Sequence, residues 1–97
     1  MTIQHEQQEG RGTFFIPGDN GNVAEMTYMQ RDQKTIIIDH TYVSEELRGK
    51  NIGYQLVHQA VEFARTDGLK IMPVCVFARA VFEKKPEFND VLKKEIS

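Results

Sequence analysis

The chain has 97 residues, of which 40% are hydrophobic and 27% are charged, as is usual for a globular domain. Folding at this size buries only about 60–65% of the unfolded surface, which excludes an enzyme with a separate substrate domain. We therefore expect one domain over residues 1–97, as a monomer. The net charge of -2 argues against a nucleic-acid partner, and no apolar run suits a membrane partner.

The cysteine and histidine residues indicate the cellular compartment and whether a metal is bound. Cys75 is the single cysteine and therefore has no internal disulfide partner. Together with a polar N-terminus that lacks the apolar core of a signal peptide, this predicts a cytoplasmic protein with a free thiol. His5 and His58 show no metal-ligand spacing with a cysteine or carboxylate cluster, so we expect no metal cofactor.

The first half of the chain has the pattern of strands and turns. The predicted strands are residues 2–9, 13–16, 23–30 and 35–43. Turn residues are dense between 18 and 22, and short connections favour pairing of consecutive strands in an antiparallel meander. The successive isoleucines 36–38 would face both sides of a sheet, so we expect both faces to be covered.

The second half changes to a helical period. From Ile52, apolar positions recur at three- and four-residue spacing until Gly68, which predicts one amphipathic helix. Residues 71–77 form a predicted strand interrupted by Pro73, and residues 78–85 a short helix. A strand, a helix and a strand in succession predict a parallel pair, hence an α+β fold with a mixed sheet.

The most informative segment joins the fourth strand to the long helix and reads Arg-Gly-Lys-Asn-Ile-Gly over residues 48–53. A helix N-terminus after such a loop offers unpaired N–H groups to an anion, and Gly49 and Gly53 let backbone approach a phosphate. Arg48 and Lys50 add positive charge. The pattern is neither a Walker loop, since no Ser or Thr follows Lys50, nor a dinucleotide fingerprint.

The same segment resembles the acetyl-CoA motif [Q/R]-x-x-G-x-[G/A] of the GNAT superfamily of N-acetyltransferases. Arg48 and Gly53 match its ends, and Asn51 replaces its central glycine, a position where asparagine tolerates left-handed backbone. The surrounding His-Thr-Tyr-Val at 40–43, Pro-x-Cys at 73–75 and other short matches extend the resemblance over residues 12–92, to very small GNAT-like proteins.

This resemblance implies a minimal GNAT-like fold, with a mostly antiparallel sheet, a splayed parallel strand pair and two to three helices. It implies that Val43 serves the pantetheine arm of acetyl-CoA. The pyrophosphate would be served by Arg48, Gly49, Lys50, Asn51, Ile52 and Gly53. Most GNAT enzymes are about half as long again and carry two acceptor-site helices after the first strand, for which residues 9–13 leave no room.

The leading hypothesis is acetyl transfer from acetyl-CoA to an amine or protein acceptor, with His40 as the base. The alternative for His40 is a strand-end histidine that bonds a loop. In a regular strand Asp39 lies on the opposite face and cannot easily orient the same ring, unless a bulge intervenes. Cys75, expected in mid-strand between core-facing Val74 and Val76, is either an acyl-accepting thiol or an inert residue. Two further hypotheses are an acetyl-CoA-binding module without transferase activity and a general phosphate-binding domain.

Overall fold

The computed structural model describes residues 2–93. In chain order its strands and helices are β1 (Gln4–Gln8), β2 (Arg11–Gly18), β3 (Gly21–Asp32), β4 (Thr35–Val43), α1 (Ile52–Asp67), β5 (Lys70–Pro73) and α2 (Val76–Lys84). Short 3-10 helices cover Glu45–Leu47 and Pro86–Val91. The predicted α+β class, the long helix and the four-strand meander are confirmed.

The sheet has the strand order β1-β2-β3-β4-β5. Neighbours from β1 to β4 are antiparallel, and β4 and β5 are parallel because α1 crosses between them. Helix α1 ends where the sequence predicts, at Gly68, whose left-handed φ of 70° lets its N–H bond the carbonyl of Ala64. The parallel pair and its crossover helix are therefore confirmed.

Helix α1 builds the core with its apolar face. The face consists of Leu56, Val57, Ala60, Val61 and Ala64, all fully buried. These residues share one hydrophobic cluster with Phe14, Met26 and Ile38 of three strands. Burial of each large side chain contributes about 1.5–3 kcal/mol. Ile37 is only half-buried, so the expectation that both sheet faces are covered is wrong: α1 and α2 contact each other over one face.

The parallel strands separate early. The carbonyl of Ile38 accepts hydrogen bonds from the N–H groups of both Val74, at 2.9 Å, and Cys75, at 3.2 Å. The chain therefore turns away from β4 after Pro73, and the predicted strand over 71–77 is wrong beyond that residue. Val74 and Val76 are 47% and 81% exposed and do not join the core as expected. Residues 39–43 of β4 consequently have no partner on β5.

A β-bulge reorients the end of β4. Thr27 pairs with His40 while Tyr28 pairs with Ile38, so Asp39 is an extra residue on its strand. The hydroxyl of Thr27 donates to Asp39 Oδ1 at 2.6 Å, which places Asp39 on the His40 side of the sheet. The bulge that would change the face of Asp39 is therefore present, and Asp39 and His40 lie on the same face because alternation holds only for a regular strand.

Strand β1 pairs with β2 along its whole length and also contributes His5 to an aromatic cluster. The ring of His5 stacks on Phe14 at a centroid distance of 4.1 Å and meets the edge of Phe63 at 4.6 Å. Its Nε2 lies 2.7 Å from the hydroxyl of Tyr28. Partial burial of the ring lowers the pKa of His5, against the opposing charge of Asp67.

Candidate functional site

A cavity of about 690 Å³ lies where the separated end of β4 meets both helices. It is lined by Thr41, Val43, Leu47, Arg48, Gly49, Asn51, Ile52, Gly53, Tyr54, Phe77, Val81, Lys84 and Lys85. The bulge at Asp39 is what turns the side chains of Thr41 and Val43 toward this cavity. Without the extra residue, His40 would occupy the inward position.

The loop at the floor of the cavity has the left-handed backbone that the sequence predicts. Gly49 has a φ of 84° and Asn51 a φ of 65°; Asn51 is the one described non-glycine residue with positive φ. Asn51 caps α1 without a side-chain hydrogen bond, and its carbonyl accepts from Gln55 N–H at 3.1 Å. The N–H groups of residues 52–54 precede that bond and have no acceptor within the helix. They are donors for an anion.

Gly53 lies directly beneath the ring of Phe77. It lies buried in the first turn of α1, and a Cβ atom there would approach Phe77 Cζ to 2.4 Å. Phe77 is 42% exposed and lines the cavity, so the ring forms a movable wall over Gly53. The sequence predicts that Gly53 lets the backbone approach a phosphate closely. In the structure the missing side chain also lets Phe77 of α2 pack against Gly53.

The predicted loop residues are brought together with one exception. Val43, Arg48, Gly49, Asn51, Ile52 and Gly53 all line the cavity, whereas Lys50 is exposed outside its lining. Arg48 Nε donates to the carbonyl of Val43 at 3.4 Å, which ties the loop to the end of β4. The predicted role of Lys50 at the pyrophosphate is therefore not matched by a position in the cavity lining.

Cys75 is the N-cap of α2 rather than a residue in mid-strand. Its Sγ accepts a hydrogen bond from Ala78 N–H at 3.3 Å and lies 3.2 Å from Thr41 Oγ1. Cys75 is half-buried and does not line the cavity itself, but Thr41 does. The correction follows from Pro73, which ends β5, and from the sulfur, which replaces a missing backbone acceptor at the helix start.

His40 lies apart from the cavity. Its side chain is 57% exposed, and its Nε2 stands 3.9 Å from Glu25 Oε2. Because Thr41 and Val43 face the cavity, His40 faces the opposite side of the sheet. The structure therefore does not bring His40 and Cys75 to one wall of one site.

The sequence pattern does not identify the cavity wall that α2 supplies. Phe77, Val81, Lys84 and Lys85 follow helical spacing on one face, a signal that the predicted start of this helix at residue 78 obscured. Within residues 2–93, no three His, Cys, Asp or Glu side chains group as a metal site requires. Of the helices in that range, none has the length and apolarity needed to cross a bilayer.

The fold is that of an acetyltransferase domain. A family model for the GCN5-related N-acetyl-transferase matches residues 13–91, and the chain belongs to this family. A GCN5-like candidate N-acetyltransferase from Staphylococcus aureus, solved by NMR, is 39% identical with a TM-score of 0.75. The match covers 96% of this chain and 90% of that protein. A search of the curated proteins found no match.

Larger acetyltransferases share the same fold. The IAA acetyltransferase from Bacillus cereus is 25% identical with a TM-score of 0.61, covering 78% of this chain and 54% of that one. A GNAT family acetyltransferase from Elizabethkingia anophelis with acetyl-CoA bound is 16% identical with a TM-score of 0.61, covering 80% and 54%. This chain thus spans about half the length of those two enzymes.

Proposed function

We propose that this protein binds acetyl-CoA in the cavity and transfers its acetyl group to an amine. The observation that carries the proposal is the junction of two donor sets. The left-handed loop at Gly49 and Asn51 leads into the N–H groups that begin α1, and the unpaired edge of residues 39–43 adjoins it. The first set suits a pyrophosphate and the second the amides of a pantetheine arm.

The proposed reaction is a direct transfer. The neutral amine nitrogen attacks the thioester carbonyl carbon, the carbon–sulfur bond breaks, and CoA leaves as its thiolate. A backbone N–H near Val43 polarises the carbonyl oxygen, and the ammonium proton passes to a base. His40 serves as that base only for an acceptor that approaches from its own face of the sheet, because its side chain lies opposite the cavity.

A second chemical route uses Cys75, and the 3.2 Å separation between its Sγ and Thr41 Oγ1 at the cavity favours it. The thiolate attacks the thioester carbonyl, CoA leaves as the thiolate, and an acetyl-cysteine forms. An amine then displaces the Cys75 sulfur from that acetyl group. The exchange of one thioester for another needs no strong driving force.

A binding module without transferase activity is the remaining alternative. It is favoured by the short connection between β1 and β2, where Gln8 pairs directly with Arg11 and no helix intervenes. Incubation with radiolabelled acetyl-CoA and a panel of amines separates the two functions. Label on an amine supports transfer, whereas binding without label on any amine or on the protein supports the module.

The binding test compares acetyl-CoA, CoA and ATP by calorimetry with wild type, Gly49→Val and Gly10→Val. Both glycines have positive φ and free space for a side chain, so the two variants carry the same backbone strain. Gly49→Val should weaken acetyl-CoA binding at least tenfold, about 1.4 kcal/mol. Gly10→Val lies in the β1–β2 turn and should bind normally. Equal binding by both variants would show that the loop is not the site.

We also propose one domain over the whole chain, a monomeric state and a cytoplasmic location. The free thiol of Cys75 supports a reducing compartment. Light scattering after size exclusion tests the monomer, and fractionation of cells that express the tagged chain tests the location. A dimer or a membrane fraction would contradict the respective proposal.

A further inference from the structure

A second cavity, of about 460 Å³, lies on the other side of α2. Its lining comes from β5, from α2 and from the segment after α2: Pro73, Arg79, Phe82, Glu83, Pro86, Asn89 and Leu92. It shares no lining residue with the first cavity, and the α2 residues of the two cavities lie on opposite faces of the helix. A ligand here would therefore be separated from the proposed acetyl-CoA site by a helix about 10 Å across.

The apolar part of this second cavity is built from rings held in fixed positions. Phe82 is buried, and its ring meets that of Phe88 edge to face, with centroids 6.1 Å apart and an angle of 68° between the rings. Phe88 belongs to the core, so Phe82 is held from behind while it lines the cavity. The rings of Pro73 and Pro86 line the same space. Such surfaces suit another aromatic ring, which favours edge-to-face or offset contacts.

Two opposite charges line this cavity without neutralising each other. Arg79 and Glu83 are exposed and stand four residues apart on α2, a spacing at which such side chains can pair. Within residues 2–93, however, neither side chain makes a hydrogen bond or an ion pair. Glu83 does not serve the stability of the helix either, because it lies near the C-terminus of α2, where the helix dipole favours cations. Both charges are therefore available to a ligand.

From this arrangement we propose that the second cavity binds a free aromatic amino acid. The carboxylate of the ligand pairs with the guanidinium of Arg79, whose planar fork matches the geometry of a carboxylate. The ammonium of the ligand pairs with Glu83, and its ring lies against Phe82. The proposal goes beyond the proposed function and does not depend on it. If the two charges only keep the helix surface solvated, no amino acid binds there.

The experiment is an NMR titration of the protein with three ligands: L-phenylalanine, 3-phenylpropionate, which lacks the ammonium, and phenethylamine, which lacks the carboxylate. Wild type should bind L-phenylalanine with a dissociation constant of about 1 mM, the scale for a ligand of this size. Each analogue should bind about fivefold more weakly, as expected for the loss of one exposed ion pair. The shifts should centre on the amides of Phe82 and Asn89. No saturable shift up to about 20 mM L-phenylalanine, or shifts centred on Asn51 and Gly53, would overturn the proposal.

Variants assign each charge of the ligand to one residue. Arg79→Met should weaken L-phenylalanine about fivefold and leave phenethylamine unchanged, whereas Glu83→Gln should weaken L-phenylalanine and leave 3-phenylpropionate unchanged. The matched controls Arg11→Met and Glu9→Gln, at the β1–β2 turn, should bind all three ligands as wild type does. Equal losses for all three ligands in the two cavity variants contradict the proposal. Titration of the same proteins with acetyl-CoA tests the proposed function separately, because neither cavity variant lines the first cavity.

Discussion

The ring of Phe77 occupies the space that a side chain on Gly53 would need. The Cζ atom lies 2.4 Å from an ideal Cβ at that position. Because Phe77 is 42% exposed and lines the cavity, its ring can swing away from Gly53 without disturbing the core. The volume of the cavity thus depends on the absence of a side chain at position 53 of α1.

Gly53→Ala should therefore keep the fold and lose ligand affinity. The displaced Phe77 ring enters the cavity, and we expect acetyl-CoA binding to fall at least tenfold, about 1.4 kcal/mol, with a small change in the unfolding midpoint. The double variant Gly53→Ala/Phe77→Ala should bind better than Gly53→Ala alone. If the double variant remains as weak, the loss arises in the loop backbone and not from the ring.

Asn51→Gly should be tolerated. Asn51 has a φ of 65° and makes no capping hydrogen bond, so glycine relieves the left-handed strain and removes no cap contact. Asn51→Ala keeps the strain without the tolerance of asparagine and should cost about 1 kcal/mol in urea unfolding. A tenfold loss of acetyl-CoA affinity in Asn51→Gly would show that the side chain contacts the ligand.

Substitutions of Cys75 separate its capping from its chemistry. Cys75→Ser keeps an acceptor for Ala78 N–H and should preserve stability, while Cys75→Ala loses it and should cost about 0.5–2 kcal/mol. If the thiol carries the acetyl group, wild type gains one acetyl by intact mass at pH 8 with excess acetyl-CoA, and both variants gain none. An unmodified wild type eliminates the cysteine route.

Acidification should loosen β1 through His5. The folded state lowers the pKa of His5 from the ordinary value of 6.5, chiefly by partial burial of the ring. Its contribution to stability is complete above that pH and is lost as the pH falls through the folded value. Unfolding midpoints between pH 7.5 and 4.5 should decline less in His5→Gln than in wild type or His58→Gln. Parallel curves for all three proteins would contradict this.

Arg65 holds the segment after α2 against α1. It donates to both carboxylate oxygens of Asp90 at 2.9 Å and to the carbonyl of Glu87 at 2.8 Å. Arg65→Met should lower the unfolding midpoint and increase hydrogen exchange over residues 86–91. Arg65→Lys keeps the charge but not the forked geometry and should recover only part of the loss. Full recovery by lysine would mean that charge alone suffices.

Much of the fold follows from local pattern. The helical period from Ile52, with Gly68 as its stop, predicts α1 because apolar spacing reports the buried face directly. The left-handed position of Asn51 follows from residue chemistry and from the resemblance of its loop to a known motif. Short connections between alternating segments predict the meander, and the crossover helix predicts the parallel pair.

Tertiary structure alone decided which side chains share the cavity. The bulge at Asp39 depends on how β3 pairs with β4, and one extra residue moves His40 to the other face. The end of β5 depends on Ile38, whose carbonyl accepts hydrogen bonds from both Val74 and Cys75. The chain leaves β4 at this point, and α2 begins at Val76 instead of the predicted residue 78. Alternation and periodicity count residues along one chain segment. They contain no information on the neighbouring strand, whose pairing introduces the bulge and ends β5. That pairing determines which side chains line the cavity.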